Sequence, residues 1–157
     1  MSVRLRIVDA NFNRLREGLR VLEEIVRFGG VRPALTGDLR ELRHRISTLI
    51  MQHFSRSELL GSRNTEQDPG REFSGEPKKN LPDLLTANCL RVAEAFRTLE
   101  EVAGSLRPGL AEKIQALRFS FYRLEKELAG TAVPEITLRK IARGKNKMKE
   151  SKNRKPT

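Results

Sequence analysis

Cysteine occurs once, tryptophan not at all, tyrosine once and histidine twice in these 157 residues. A lone Cys89 closes no internal disulfide, and two histidines with one cysteine cannot build a zinc cage. No apolar run approaches the ~18–20 residues that a membrane-spanning helix needs. The opening Met1-Ser2-Val3-Arg4-Leu5-Arg6 lacks the continuous apolar stretch of a signal peptide. These absences fit a soluble cytoplasmic protein of one domain, with no membrane association. Neither Gly-x-x-x-x-Gly-Lys-Ser/Thr nor Gly-x-Gly-x-x-Gly is present, which removes the common phosphate-binding loops.

Charge is what the chain has in plenty, and it is unevenly spread. The net charge is +11. From Arg139 to Thr157 nine basic residues face a single acid, Glu150, so this stretch carries 9 − 1 = +8. The other 138 residues carry 22 basic and 19 acidic groups, or +3. The body is only mildly basic. The tail, with almost no apolar residues, is expected to be disordered and to attract polyanions non-specifically.

Proline and glycine divide the body into four helical pieces. The first is expected from about Val3 to Phe28, ended by Gly29-Gly30, and the second from about Thr36, as N-cap, to Phe54. A polar, glycine- and proline-containing loop then spans about 55–80. The third helix opens on Asn80-Leu81-Pro82-Asp83, a cap residue followed by proline and a first-turn carboxylate, and ends near Gly104. The fourth runs from about Pro108 to Leu128. Leu5, Val8, Phe12, Leu15, Leu19, Leu22 and Val26 step by three and four residues, as do Leu85, Cys89, Val92, Phe96, Leu99, Ala103 and Leu106. Both are helical seams, and Cys89 reads as a small core residue in the second.

The two seams share a register offset of 77 residues. Over Asp9–Glu24 and Thr86–Glu101, eight of sixteen aligned pairs are identical, where ordinary composition gives about one or two. Leu42-Arg43 and Leu117-Arg118 echo each other more weakly. The expected fold is therefore all-α: a four-helix bundle built from a duplicated helical hairpin, with a long loop between the halves. The bundle domain covers 1–130 (repeat one about 3–54, repeat two about 81–129), followed by the basic tail, 131–157.

Asn11, Arg14 and Glu17 recur as Asn88, Arg91 and Glu94. At about 100° per residue, Asn11 lies about 60° from the seam centre and Arg14 about 120°, at the edge of the core. A buried asparagine is costly unless hydrogen-bonded. Its repetition suggests either a register-fixing role or a polar cleft in which arginine meets phosphate oxygens. The structural alternative for Arg14, Glu17, Arg20 and Glu24, with Glu23 beside them, is a solvated ladder of i+3 and i+4 ion pairs. The loop Gly61-Ser62-Arg63-Asn64-Thr65-Glu66-Gln67-Asp68-Pro69-Gly70-Arg71 combines arginines, carboxylates and flexible backbone, suited to phosphate and Mg²⁺. Being an exposed loop, it is expected to contribute little to stability.

The Asp9–Glu24 block resembles the small helical domain found alone, or fused to the amino-terminal side of thiamin phosphate synthase, in diverse bacteria. Leu39–His44, Ser62–Gly70, Thr86–Glu101 and Leu117–Lys126 agree in order, so the likeness extends to about Leu128. Where the family more often has Arg-Asp and Asp-Val-Gly, this chain has Arg63-Asn64 and Asp68-Pro69-Gly70. The resemblance implies a monofunctional hydroxymethylpyrimidine phosphate kinase. Such an enzyme uses ATP to convert 4-amino-5-hydroxymethyl-2-methylpyrimidine phosphate into the diphosphate for thiamin synthesis. On that basis Arg63 and Asp68 are expected to be catalytic. Asn11, Arg14, Asn88, Arg91 and Gly70 are expected to bind substrates, while Asp68 and Glu17 hold Mg²⁺. Thiamin phosphate synthase is a possible partner. The alternatives are a non-catalytic helical partner of that synthase, or a basic RNA-binding bundle; scarce aromatic stacking platforms count against the latter.

Overall fold

The computed structural model describes residues 2–30, 32–68, 70 and 76–131. The expected disorder and polyanion binding of the tail concern residues outside this set, apart from Thr131. Five helices follow in order: α1 (Val3–Gly29), α2 (Pro33–His53), α3 (Arg56–Gly61), α4 (Leu81–Leu106) and α5 (Leu110–Ala129), with no strand among the described residues. The four long helices form the bundle. Both apolar seams are buried except at their outer ends, Leu5 and Leu106, which are partly buried; Val8, Leu15, Leu19, Leu22, Val92, Phe96 and Leu99 are fully enclosed.

Most helix boundaries follow local chemistry. Gly30 ends α1 in the left-handed conformation (φ 67°), which costs a glycine nothing. Asn80 caps α4, its side chain accepting from the Asp83 N–H at 2.7 Å. Two boundaries differ from expectation. Thr36 does not cap α2: Pro33, whose ring presets a helical φ, starts the helix three residues earlier with Arg32 as N-cap. The Thr36 hydroxyl is left buried and unpartnered, and nothing in the structure explains it. The 55–80 stretch is not all loop either. Ser55 and Glu58 form a reciprocal capping box that starts α3, and this Ser55 backbone contact holds the Glu58 carboxyl below its usual range.

Arg107, the C-cap of α4, donates from Nε to the His53 carbonyl at 3.1 Å and covers the Phe54 ring. The end of α4 therefore meets the end of α2. Since α2 returns along α1 after a short turn, α1 and α4 run antiparallel. These two helices share the most extensive packing in the bundle. They come close at Gly18: a Cβ there would lie 2.7 Å from Val92 Cγ2 and 3.6 Å from the Asn88 carbonyl oxygen.

The Arg20-Glu23-Glu24 ladder is only partly solvated, which corrects the sequence-based expectation. Glu23 is buried and accepts from Arg43 Nε (3.2 Å) and Nη2 (3.0 Å) across the α1–α2 interface. In the second half Glu100 accepts from Arg118 Nε (2.7 Å) and Nη2 (3.3 Å), linking α4 to α5. The Arg118 guanidinium also donates to the Tyr122 hydroxyl. Each repeat thus carries one half-hidden ion pair that fixes its hairpin.

Candidate active site

The repeated asparagines do the same thing in both halves. Asn11 Nδ2 donates to the Ile7 carbonyl at 2.9 Å and its Oδ1 accepts from Arg14 Nη1 at 3.5 Å. Asn88 Nδ2 donates to the Leu84 carbonyl at 2.7 Å, and its Oδ1 accepts from Arg91 Nη1 at 2.7 Å. Each buried amide spends its donor on its own helix and its acceptor on an exposed arginine at i+3. Neither Arg14 nor Arg91 has a carboxylate partner among the described residues. A guanidinium aimed but not neutralised suits an incoming anion.

A cleft lies over the outer face of α1, where residues 62–68 cross it, with Gly70 at its edge. One cavity, of about 370 Å³, is lined by Arg6, Asp9, Asn13, Glu17, Arg63 and Asp68 among others. A second, of about 540 Å³, is lined by Arg14, Thr65, Glu66, Asp68 and Gly70. Thr65 and Asp68 belong to both, so the two are compartments of one cleft. Four expected residues from separate parts of the chain, Arg14, Glu17, Arg63 and Asp68, are brought together there with Gly70. Asn11 stands behind Arg14. Asn88 and Arg91 belong to α4 and line neither compartment.

Sequence reasoning missed the group that fixes the loop. Asp9, with 9% of its side chain exposed, accepts from Arg63 Nε at 2.7 Å and Nη2 at 3.0 Å. That hydrogen bond raises the Arg63 pKa above its ordinary value. Asn13 Nδ2 also donates to Asp9 Oδ1 at 3.3 Å. Arg63 is therefore a latch on α1 as well as a lining residue, and only Nη1 remains free of Asp9. Asp68 is half-exposed: its Oδ1 accepts from the Gly70 N–H at 2.9 Å, and Oδ2 lies 3.7 Å from Arg6. One signal for Asp9 was present in the duplication, because its counterpart is Thr86. A carboxylate in one copy only answers to something that only one copy has, here the crossing loop.

Fold and cleft together define a small duplicated helical bundle with an arginine- and carboxylate-lined groove on its first half. The chain belongs to the ThiD2 family, whose pattern it matches over residues 6–127. It is similar to thiamine-phosphate synthase of Thermosynechococcus vestitus, 41% identical over 126 residues, covering 78% of this chain and 34% of that protein. The Nostoc sp. thiamine-phosphate synthase is 38% identical over 128 residues (80% and 35%). That of Synechococcus sp. is 33% identical over 147 residues (93% and 39%). The chain spans about a third of the length of these curated relatives. No solved structure matches it.

Proposed function

We propose that the protein acts in thiamin biosynthesis as an ATP-dependent kinase of 4-amino-5-hydroxymethyl-2-methylpyrimidine phosphate, producing the diphosphate. The observation that carries this reading is the cleft over α1, where Arg6, Arg14 and Arg63 face Glu17 and Asp68 beneath a crossing loop. Family membership and the names of the relatives supply the pathway.

Phosphoryl transfer to a phosphate oxygen needs no general base, because the acceptor is already an anion. An acceptor oxygen forms a bond to the γ-phosphorus of ATP as the bridging P–O bond breaks, and ADP leaves. The protein's task is to bring two anions together in line and to offset the charge that spreads over the γ-oxygens. In this reading Arg14, held by Asn11, and the free edge of Arg63 bind those oxygens. Gly70 lets the loop backbone approach them. Asn88 and Arg91, on α4 and outside both compartments, take no substrate in this reading.

Among the described residues no three His, Cys, Asp or Glu side chains gather as a metal cage. The donors present suit a cation that arrives on a nucleotide. Mg²⁺ is satisfied by phosphate oxygens, water and one or two carboxylates, and Asp68 and Glu17 line the same compartment. Bound there, Mg²⁺ would neutralise phosphate charge.

Incubation of the purified chain with ATP, Mg²⁺ and the pyrimidine monophosphate, followed by ³¹P NMR, tests this directly. ADP and the pyrimidine diphosphate should appear in equal amounts. ATP and monophosphate persisting together would overturn the kinase reading. The synthase names of the longer relatives favour a second reading, a helical partner that binds thiamin phosphate synthase and leaves ATP intact. Co-purification with the synthase in the absence of turnover would support it.

A further inference from the structure

The geometry points to a second phosphate-binding subsite, continuous with the loop-side cleft, in the cavity of about 440 Å³ bordered by Asn13, Arg16, Glu17, Arg20, Val21 and Arg43. It shares Asn13 and Glu17 with the 370 Å³ compartment, so a ligand in each would meet at that border. Three guanidinia line it against one carboxylate. Arg43 and Arg20 are both anchored to Glu23, by the paired bonds of Arg43 and an Arg20 Nη1–Glu23 Oε1 contact of 3.5 Å. Arg20 Nε also reaches Glu24 Oε1 at 2.8 Å. Their positions are fixed while donor hydrogens remain. Arg16 differs. Its guanidinium rests 5.4 Å over the Phe12 ring and has no carboxylate partner among the described residues. It is the cation available to a ligand.

The duplication serves as an internal control. Arg20, Glu23 and Arg43 have counterparts in Arg97, Glu100 and Arg118, which make the equivalent contacts. Those residues hold the bundle. Asn13 and Arg16 have Leu90 and Ala93 at the equivalent positions, so bundle architecture does not require them. They are polar in the half that carries the loop and apolar in the half that does not. That is the pattern of residues serving the cleft. The subsite accepts the phosphate of the second phosphorylated small molecule. This ligand class rests on the kinase reading, in which two phosphate-bearing substrates must lie side by side.

The test is calorimetric titration of the intact chain, without turnover, with inorganic pyrophosphate and then with ATP and the pyrimidine monophosphate separately. Arg16→Ala strands no buried acid, and Arg123→Ala, on the far α5 face, controls for net charge. Arg16→Ala should weaken pyrophosphate binding about tenfold or more, the loss of a charge-assisted hydrogen bond. Arg123→Ala should change it less than about twofold, and Arg16→Lys should recover part of the loss. In turnover, KM should rise for one substrate alone with kcat little changed. The affected substrate tells whether nucleotide or acceptor occupies the subsite. Unchanged pyrophosphate affinity in Arg16→Ala, or equal losses in both alanine variants, would overturn the proposal. If the chain transfers no phosphate yet Arg16→Ala selectively loses pyrophosphate, the kinase reading falls and the subsite stands. Transfer with every KM unaltered in Arg16→Ala gives the reverse.

Discussion

Breaking the Asp9–Arg63 latch should destabilise the protein, although Arg63 sits in a loop. Arg63→Ala removes two charge-assisted hydrogen bonds of 2.7 and 3.0 Å and leaves the enclosed Asp9 carboxylate with Asn13 as its neighbour. Hydrogen bonds to charged groups contribute about 1.5–3 kcal/mol when buried. Arg63, however, keeps 43% of its side chain in water, which draws the value toward the ~0.2–1 kcal/mol of exposed pairs. An intermediate coupling of about 1.5 kcal/mol follows. With a urea m-value of about 1.5 kcal/mol/M, the midpoint of Arg63→Ala should fall by about 1 M. A double-mutant cycle with Asp9→Asn, followed by circular dichroism at 222 nm in urea, isolates the pair from each residue's other contacts. The double variant should be scarcely less stable than the worse single one. Strictly additive losses, or a wild-type midpoint for Arg63→Ala, would refute the latch and return the loop to a passive connector.

Asp68→Asn should behave oppositely: its ion pair with Arg6 is 3.7 Å long and exposed. Stability should change by less than about 1 kcal/mol, while turnover in the NMR assay falls by at least about 100-fold. Gly18→Ala should cost a net ~1 kcal/mol or more in urea unfolding. The overpacking against stiff, fully buried Val92 (~1–3 kcal/mol) outweighs a helix-propensity gain of at most about 1 kcal/mol, and Val92→Ala in the same chain should relieve the clash. Burial, with a smaller contribution from the Glu125 charge, pushes the Cys89 thiol up to about 12 from 9.0. The native protein should resist a disulfide reagent at pH 8 and react only as it unfolds. Because the folded state holds this proton more tightly, the contribution is complete below pH 9.0 and declines as pH rises toward about 12.

The bundle was legible because it rests on one-dimensional information. Seams stepping by three and four residues, the Asn80-Pro82-Asp83 helix start and the 77-residue offset all survive in the structure. Pairings between elements were not legible. The ladder from Arg20 to Glu24 looked solvated because spacing along one helix says nothing of Arg43 or Arg118 reaching in from the next. Arg63 looked free because its partner lies 54 residues away in sequence. In both cases the duplication held the missing clue. Glu23 and Glu100 recur beside recurring arginines, whereas Asp9 does not recur.

The antiparallel contact of α1 with α4 means that the chain is built like a homodimer whose subunits have been joined by a linker. Each half has its own hairpin, its own buried ion pair and its own asparagine–arginine clamp, and lacks only a partner for its seam. In such an assembly one half can specialise while the other keeps the interface. Arg6, Asp9, Asn13 and Arg16 have become Asp83, Thr86, Leu90 and Ala93 in the second copy, yet the seam residues remain apolar throughout. A chain carrying the first half twice would retain the same interface chemistry and present two clefts instead of one. On the proposed reading, the second half serves as the scaffold for the cleft on the first.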